Sequence, residues 1–126
     1  MATVVQTGLV GGDADVILLN FAEQVMTRIQ LRESGGHVLV LGKVVIVNSD
    51  TSDQNATARL TTVDGQVELD RVDVRIPSQG SQCLSLNGWI TGADAAAGQF
   101  VDLRCSTFEG RAKKVRLNAI LVDVLV

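Results

Sequence analysis

The chain has no tyrosine, one proline, one histidine, two cysteines and, beside three phenylalanines, a single tryptophan. Each scarcity excludes something. Zinc centres and catalytic triads recruit histidine together with partner groups, and His37 stands without a cysteine or glutamate cluster beside it. It reads as an ordinary histidine at the start of a strand. Two cysteines are too few for a disulfide scaffold. Cys83 and Cys105 are expected as free core thiols, with one bond between them as the alternative. So few aromatics give little support to a stacking platform for single-stranded nucleic acid. Charged residues make up only 20%, below the usual globular share, as in small domains that hide surface in an oligomer. The net charge of −3 opposes nucleic acid and anionic membranes as partners, because both demand a basic field. No apolar run reaches the ~18 residues of a membrane helix. The first residues lack a basic segment followed by an apolar one, so neither membrane insertion nor a signal peptide is expected. There is no Gly-x-Ser-x-Gly elbow, no Gly-x-x-x-x-Gly-Lys loop and no His-Glu-x-x-His. We therefore expect no enzyme and no cofactor.

What is present is strand after strand. At 126 residues the chain is long enough for one domain with its own core. We read strands over residues 16–21, 24–32, 37–47, 56–63, 66–76, 82–90, 99–108 and 115–125, with residues 1–15 as an N-terminal arm or edge strand. The nearest candidate for a helix, residues 21–31, has period 2: Val25, Thr27, Ile29 and Leu31 alternate with Met26, Arg28, Gln30 and Arg32. Val63-Asp64-Gly65-Gln66 predicts a hairpin turn with Asp-Gly at its centre. Phe108-Glu109-Gly110-Arg111 reads as a similar tight connection. In residues 66–76 the alternation slips, which predicts a bulge near Asp70-Arg71. The stretch RLTTVDG at 59–65 recurs as RCSTFEG at 104–110. It fits duplicated Greek-key halves and chance convergence equally.

The strands fall into two classes. Four alternate apolar and polar residues, as a sheet with one wet face requires. The others are apolar on both faces, most clearly residues 38–47 (VLVLGKVVIV) and 119–126 (AILVDVLV). Numbered one to eight, the apolar set is one, three, six and eight; the alternating set is two, four, five and seven. That is the partition of a jelly roll, an all-β sandwich of two antiparallel sheets with eight to ten strands. A sheet apolar on both faces needs a second cover, here a further copy of the chain.

Three segments carry a resemblance. Gly36-His37-Val38-Leu39-Val40 looks like a Gly-x-Tyr-x-Phe strand entry without its aromatics. Leu86 through Ala97-Gly98-Gln99-Phe100-Val101-Asp102-Leu103 looks like a Leu…Gly-Asp-x-Val-x-Leu segment with Gln99 in place of Asp. Leu117-Asn118-Ala119-Ile120-Leu121 through Val126 looks like a closing apolar strand. Together they resemble the tumour necrosis factor and complement globular-head superfamily. The resemblance implies a trimer in which strands one, three, six and eight pack around a threefold axis. It implies no particular ligand.

On this reading the axis would be lined by Val38, Val40, Val44, Ile46, Trp89, Ile120, Val122 and Val124, with a one-residue slip swapping the whole set. Trp89 would be buried there; exposed, it would instead suit a sugar. Lys43 and Asp123 interrupt the two greasiest strands. Either charge buried alone would cost several kcal/mol, so they are expected to pair; otherwise each reaches solvent at a strand end or by snorkelling. Arg111, Lys113, Lys114 and Arg116 crowd the last connection, either as a solvated hairpin or as a patch for an anionic ligand. The polar loop at 48–55 offers oxygens to calcium but lacks the EF-hand pattern, and reads as a solvated loop. The expected function is a non-enzymatic homotrimeric recognition or assembly module with a glycan or protein ligand. A lectin with sites between protomers is one alternative. A component of a shell, fibre tip or virion is another. A cupin-type enzyme lacks its histidines.

Overall fold

The computed structural model describes residues 4–7, 10–12, 16–31, 37–90 and 99–122. Among them every regular element is a strand: β1 (Val4–Thr7), β2 (Val10–Gly12), β3 (Val16–Leu19), β4 (Gln24–Gln30), β5 (His37–Asn48), β6 (Gln54–Thr62), β7 (Val67–Ile76), β8 (Ser81–Ile90), β9 (Phe100–Thr107) and β10 (Glu109–Val122). They form two antiparallel sheets. In one, β10 lies between β5 and the short strands β1, β2 and β3, and β8 flanks β5 on the other side; the second has the order β4-β9-β6-β7. The chain changes sheet at every connection from β3 onward except the β6–β7 hairpin. That is the jelly-roll partition expected from the two classes of strand.

The core lies between the sheets. Leu18, Val38, Val40, Val44, Ile46, Leu84, Leu86 and Leu117 meet Ile29, Ala58, Leu60, Val101, Leu103 and Cys105. Fully burying a side chain of the Val/Leu/Ile class contributes about 1.5–3 kcal/mol, which makes this layer the main source of stability. Gly42 faces the same layer, and a Cβ there would sit 2.9 Å from Leu60 Cδ2. The missing side chain lets the sheets approach at that point.

This packing corrects the expected axis. Val38, Val40, Val44 and Ile46 are at most 1% exposed and fill the chain's own core. Both faces of β5 are apolar, so alternation alone cannot orient the strand. Lys43 orients it: its charge goes to the outer face, and the residues of opposite parity go inward.

The bulge appears where β7 pairs β6, between the pairs Leu60↔Asp70 and Thr61↔Glu68. The β6–β7 hairpin is present, but its turn spans four residues. Val63, Asp64 and Gly65 have φ of 55°, 52° and 85°, and Gln66 N donates to Val63 O at 3.1 Å. The segment at Phe108 is no hairpin. β9 and β10 lie in different sheets, and Phe108 marks the corner between them.

Candidate functional site: the outer face of the six-stranded sheet

Register fixes what the outer face of β10-β5-β8 displays. Ile120 stands opposite Leu39, which is opposite Trp89. Next come Asn118, Leu41 and Asn87, then Arg116, Lys43 and Ser85. Lys113, Val45 and Cys83 follow, and Arg111, Val47 and Ser81 close the series, with Ile17 of β3 beside Arg111. The face thus has two apolar ends and a basic belt across its middle. Leu39, Leu41, Ile120 and Trp89 form one end; Val47, Ile17 and Leu19 form the other. Trp89 is 48% exposed, and its ring stacks on His37 with centroids 5.4 Å apart and planes 13° from parallel. Trp89 therefore lies on the face opposite to Val38 and Val40, so the eight expected axis residues do not share one surface. Val122 pairs with His37 in backbone register. Val124 and Asp123 lie outside the described residues.

The basic residues stand in the middle of a strand, not in a connection. Between Lys113 and Arg116 the β10 register shifts, and Lys114 adopts φ 52°. This bulge brings Arg116 opposite Lys43. Lys43 has no acidic partner among the described residues. Beside it lies a shallow hollow of about 500 Å³ lined by Leu41, Lys43, Ser85, Asn87, Arg116 and Asn118.

The opposite face of the molecule, the outside of β4-β9-β6-β7, carries a ladder of alternating charge. Arg28 joins Asp64 at 3.1 Å and Asp102 at 2.6 Å, and Arg104 binds Asp102 at 2.8 Å. Arg104 and Arg59 share Glu23, at 3.7 and 2.8 Å. Arg59 continues to Glu68 at 2.7 Å, and Arg71 links Glu68 to Asp73 at 3.7 and 3.0 Å. Sequence reading identified these strands as wet on one face but missed the ladder. Its signal was that the outward positions Asp102, Arg104, Arg59, Arg71 and Asp73 are all charged. Burial pushes the Asp102 carboxyl up, but hydrogen bonds and charge from Arg28 and Arg104 more than offset this and hold it below the usual carboxylate range.

The polar loop after β5 is bound to the protein. Asn48, 1% exposed, donates to the carbonyls of Ser52, Ile76 and Pro77, and its side-chain oxygen accepts from Asp50 N. Asp50 accepts from Ser52 and Gln54, and Asp53 accepts from Ser78 N. Cys105 is buried, and its thiol is pushed up to about 12, mainly by desolvation and then by Glu23. Cys83 is also free but exposed on the outer face, not in the core.

No protein-family model matches the sequence, and no curated protein does. Solved structures do match the fold. A chain of the T13 particle of infectious bursal disease virus has a TM-score of 0.63 over 92% of this chain at 10% identity, and a chain of that virus's VP2 subviral particle has 0.56 over 94% at 10%. This chain spans about a third of the length of each, 31% and 34%. A cyclase from Fischerella sp. TAU has a TM-score of 0.51 and 18% identity over 77% of this chain and 54% of its own. These likenesses show a jelly-roll β-sandwich and no more, since function resides in sites, not folds.

Proposed function

We propose that the chain is a non-enzymatic assembly and recognition module that works as a homotrimer, closed on the outer face of its six-stranded sheet as in the tumour necrosis factor-like jelly rolls. One observation carries this reading. The central strand β5 has spent one apolar face on the core and still presents Leu39, Leu41, Val45 and Val47 outward, next to exposed Trp89, Ile17 and Leu19. Exposed apolar surface of this extent marks interaction sites, and around a threefold axis the apolar ends of one copy would pack against different parts of its neighbours' faces in a heterologous contact that closes a ring. The virus-particle chains named above supply the fold and no argument about assembly.

Light scattering after size exclusion tests the proposal. The expected mass is three times the 13.4 kDa of the chain. Leu41→Glu should reduce it to one chain while leaving the melting temperature of the monomeric fold within a few degrees, because Leu41 lies outside the core. A wild-type mass of 13.4 kDa at every concentration would sink the reading. A second reading, a glycan-binding lectin, is favoured by the exposed Trp89 ring. Binding to a glycan array that Trp89→Ala abolishes would establish it.

A further inference from the structure

We infer that Asp70 guards the open edge of the six-stranded sheet, and that the strand it keeps off β8 is β8 of a second copy. β7 and β8 are the last strands of their sheets. An edge strand offers unpaired backbone groups to any other strand, and proteins blunt such edges with charge, proline or a bulge. β7 carries Glu68, Asp70, Arg71, Asp73 and Arg75, together with its bulge. β8 reads SQCLSLNGWI, ten residues with neither charge nor proline. Its protection has to come from elsewhere.

It comes from the other sheet. The bulge leaves Leu69 without a partner on β6, between the pairs Leu60↔Asp70 and Thr61↔Glu68. A bulge re-aims the side chains around it, and here both Leu69 and Asp70 reach β8. Leu69 packs on Gly88, where an added Cβ would come within 2.8 Å of Leu69 Cβ. Asp70 Oδ2 accepts from Asn87 N at 2.9 Å, while Oδ1 accepts from Arg71 N at 2.8 Å. Asn87 N therefore points away from β5. The β5–β8 register runs unbroken from Val38↔Ile90 to Val47↔Ser81, so alternation turns the N–H groups of Cys83 and Ser85 the same way. A strand added to β8 would bond these amides. Asp70 occupies that of Asn87 and sets a negative charge against incoming carbonyls. The excluded partner follows from charge. Antiparallel pairing of β8 with its own copy is an isologous contact and brings no like charges face to face, whereas β7 would. The inference concerns the edge of the sheet, not its outer face, and does not rest on the trimer.

Amide hydrogen exchange and light scattering on the intact chain, under reducing conditions, test the guard. In Asp70→Ala the Asn87 amide should exchange about tenfold faster or more. Leu86, whose N–H points into the ladder with β5, is the control that separates local opening from lost stability. Whether the wild type is one chain or three, Asp70→Ala should form heavier species as concentration rises, and the Cys83 and Ser85 amides should slow as they form. Adding Cys83→Lys places a charge at an exposed position of β8 and should return the mass to that of the wild type. Asp70→Asn keeps a carbonyl oxygen in place without the charge. It should fall between wild type and Asp70→Ala in both readouts, and it carries the test if the alanine chain does not fold. Unchanged exchange at Asn87 would overturn the contact. Faster exchange with the wild-type mass would overturn the guard, and heavier species with Cys83 and Ser85 unprotected would overturn the partner.

Discussion

The carboxylate of Asp102 is wholly enclosed, so its charge is held by Arg28 and Arg104 rather than by water. Removing one partner from a buried ion pair is costly because the others are left uncompensated. Asp102→Asn should therefore destabilise the fold by about 2–4 kcal/mol, the lower part of that range applying because Arg28 is partly solvated. Proton linkage gives a second expectation. The folded Asp102 carboxyl is held below its ordinary value, as are those of Asp73 and Asp50. The stability each contributes is present above the unfolded value of about 4 and is lost as pH falls through the lower, folded value. Urea midpoints measured from pH 6 downward should hold level to about pH 5 and then fall. The Asp102→Asn chain should start lower and fall less. A variant with the wild-type slope would show that Asp102 is not among the groups being titrated. At this scale the sequence was partly legible. Lys43 alone among the β5 residues could have fixed which parity faces inward, because a lysine takes the wet side when one exists. It was not used that way because both faces of the strand were expected to be covered, which assigned Lys43 a partner in Asp123, outside the described residues, and left the parity open.

Strands and their two classes were readable because alternation records how many faces a strand buries. What periodicity could not supply was where the chain leaves a sheet. Phe108-Glu109-Gly110-Arg111 has the composition of a tight turn, yet it carries the chain from one sheet to the other, since Glu109 already pairs with Leu19. The glycine is required there by proximity: a Cβ on Gly110 would collide with the carbonyl oxygen of Val47. Backbone cannot yield as a side-chain end can. Gly110→Ala should thus cost more than Gly42→Ala, whose Cβ would meet only the tip of Leu60. Overpacking of the latter kind costs about 1–3 kcal/mol, and Gly110→Ala should exceed it enough to lower the yield of folded chain. Thermal melts of the two variants side by side check the order, and equal melting temperatures would contradict the corner geometry. The four basic residues near β10 show the same limit. Their clustering was plain in the sequence, but their place in mid-strand depended on β3, β2 and β1 lying along one edge of β10.

Across the whole molecule, charge is divided between faces in a way that bears on assembly. One outer face holds a ladder in which acids and arginines alternate and satisfy one another. The other holds Lys43, Arg111, Lys113 and Arg116 along β5 and β10, with Lys43 and Arg116 beside a hollow. The partition of strands into these two sheets was legible from their hydropathy; the ladder and the hollow were not, because both depend on which residues become neighbours across strands. If copies associate through the basic face, the apolar ends favour contact while the cations oppose it. Lys43 stands in the middle of that face with no acidic partner among the described residues. The Lys43→Met chain should therefore assemble at lower concentration than the wild type, read as a higher weight-average mass near the dissociation midpoint. Salt screens exposed charges, so raising the ionic strength should narrow the difference between the two chains. Equal masses at low salt would show that Lys43 does not face a second copy.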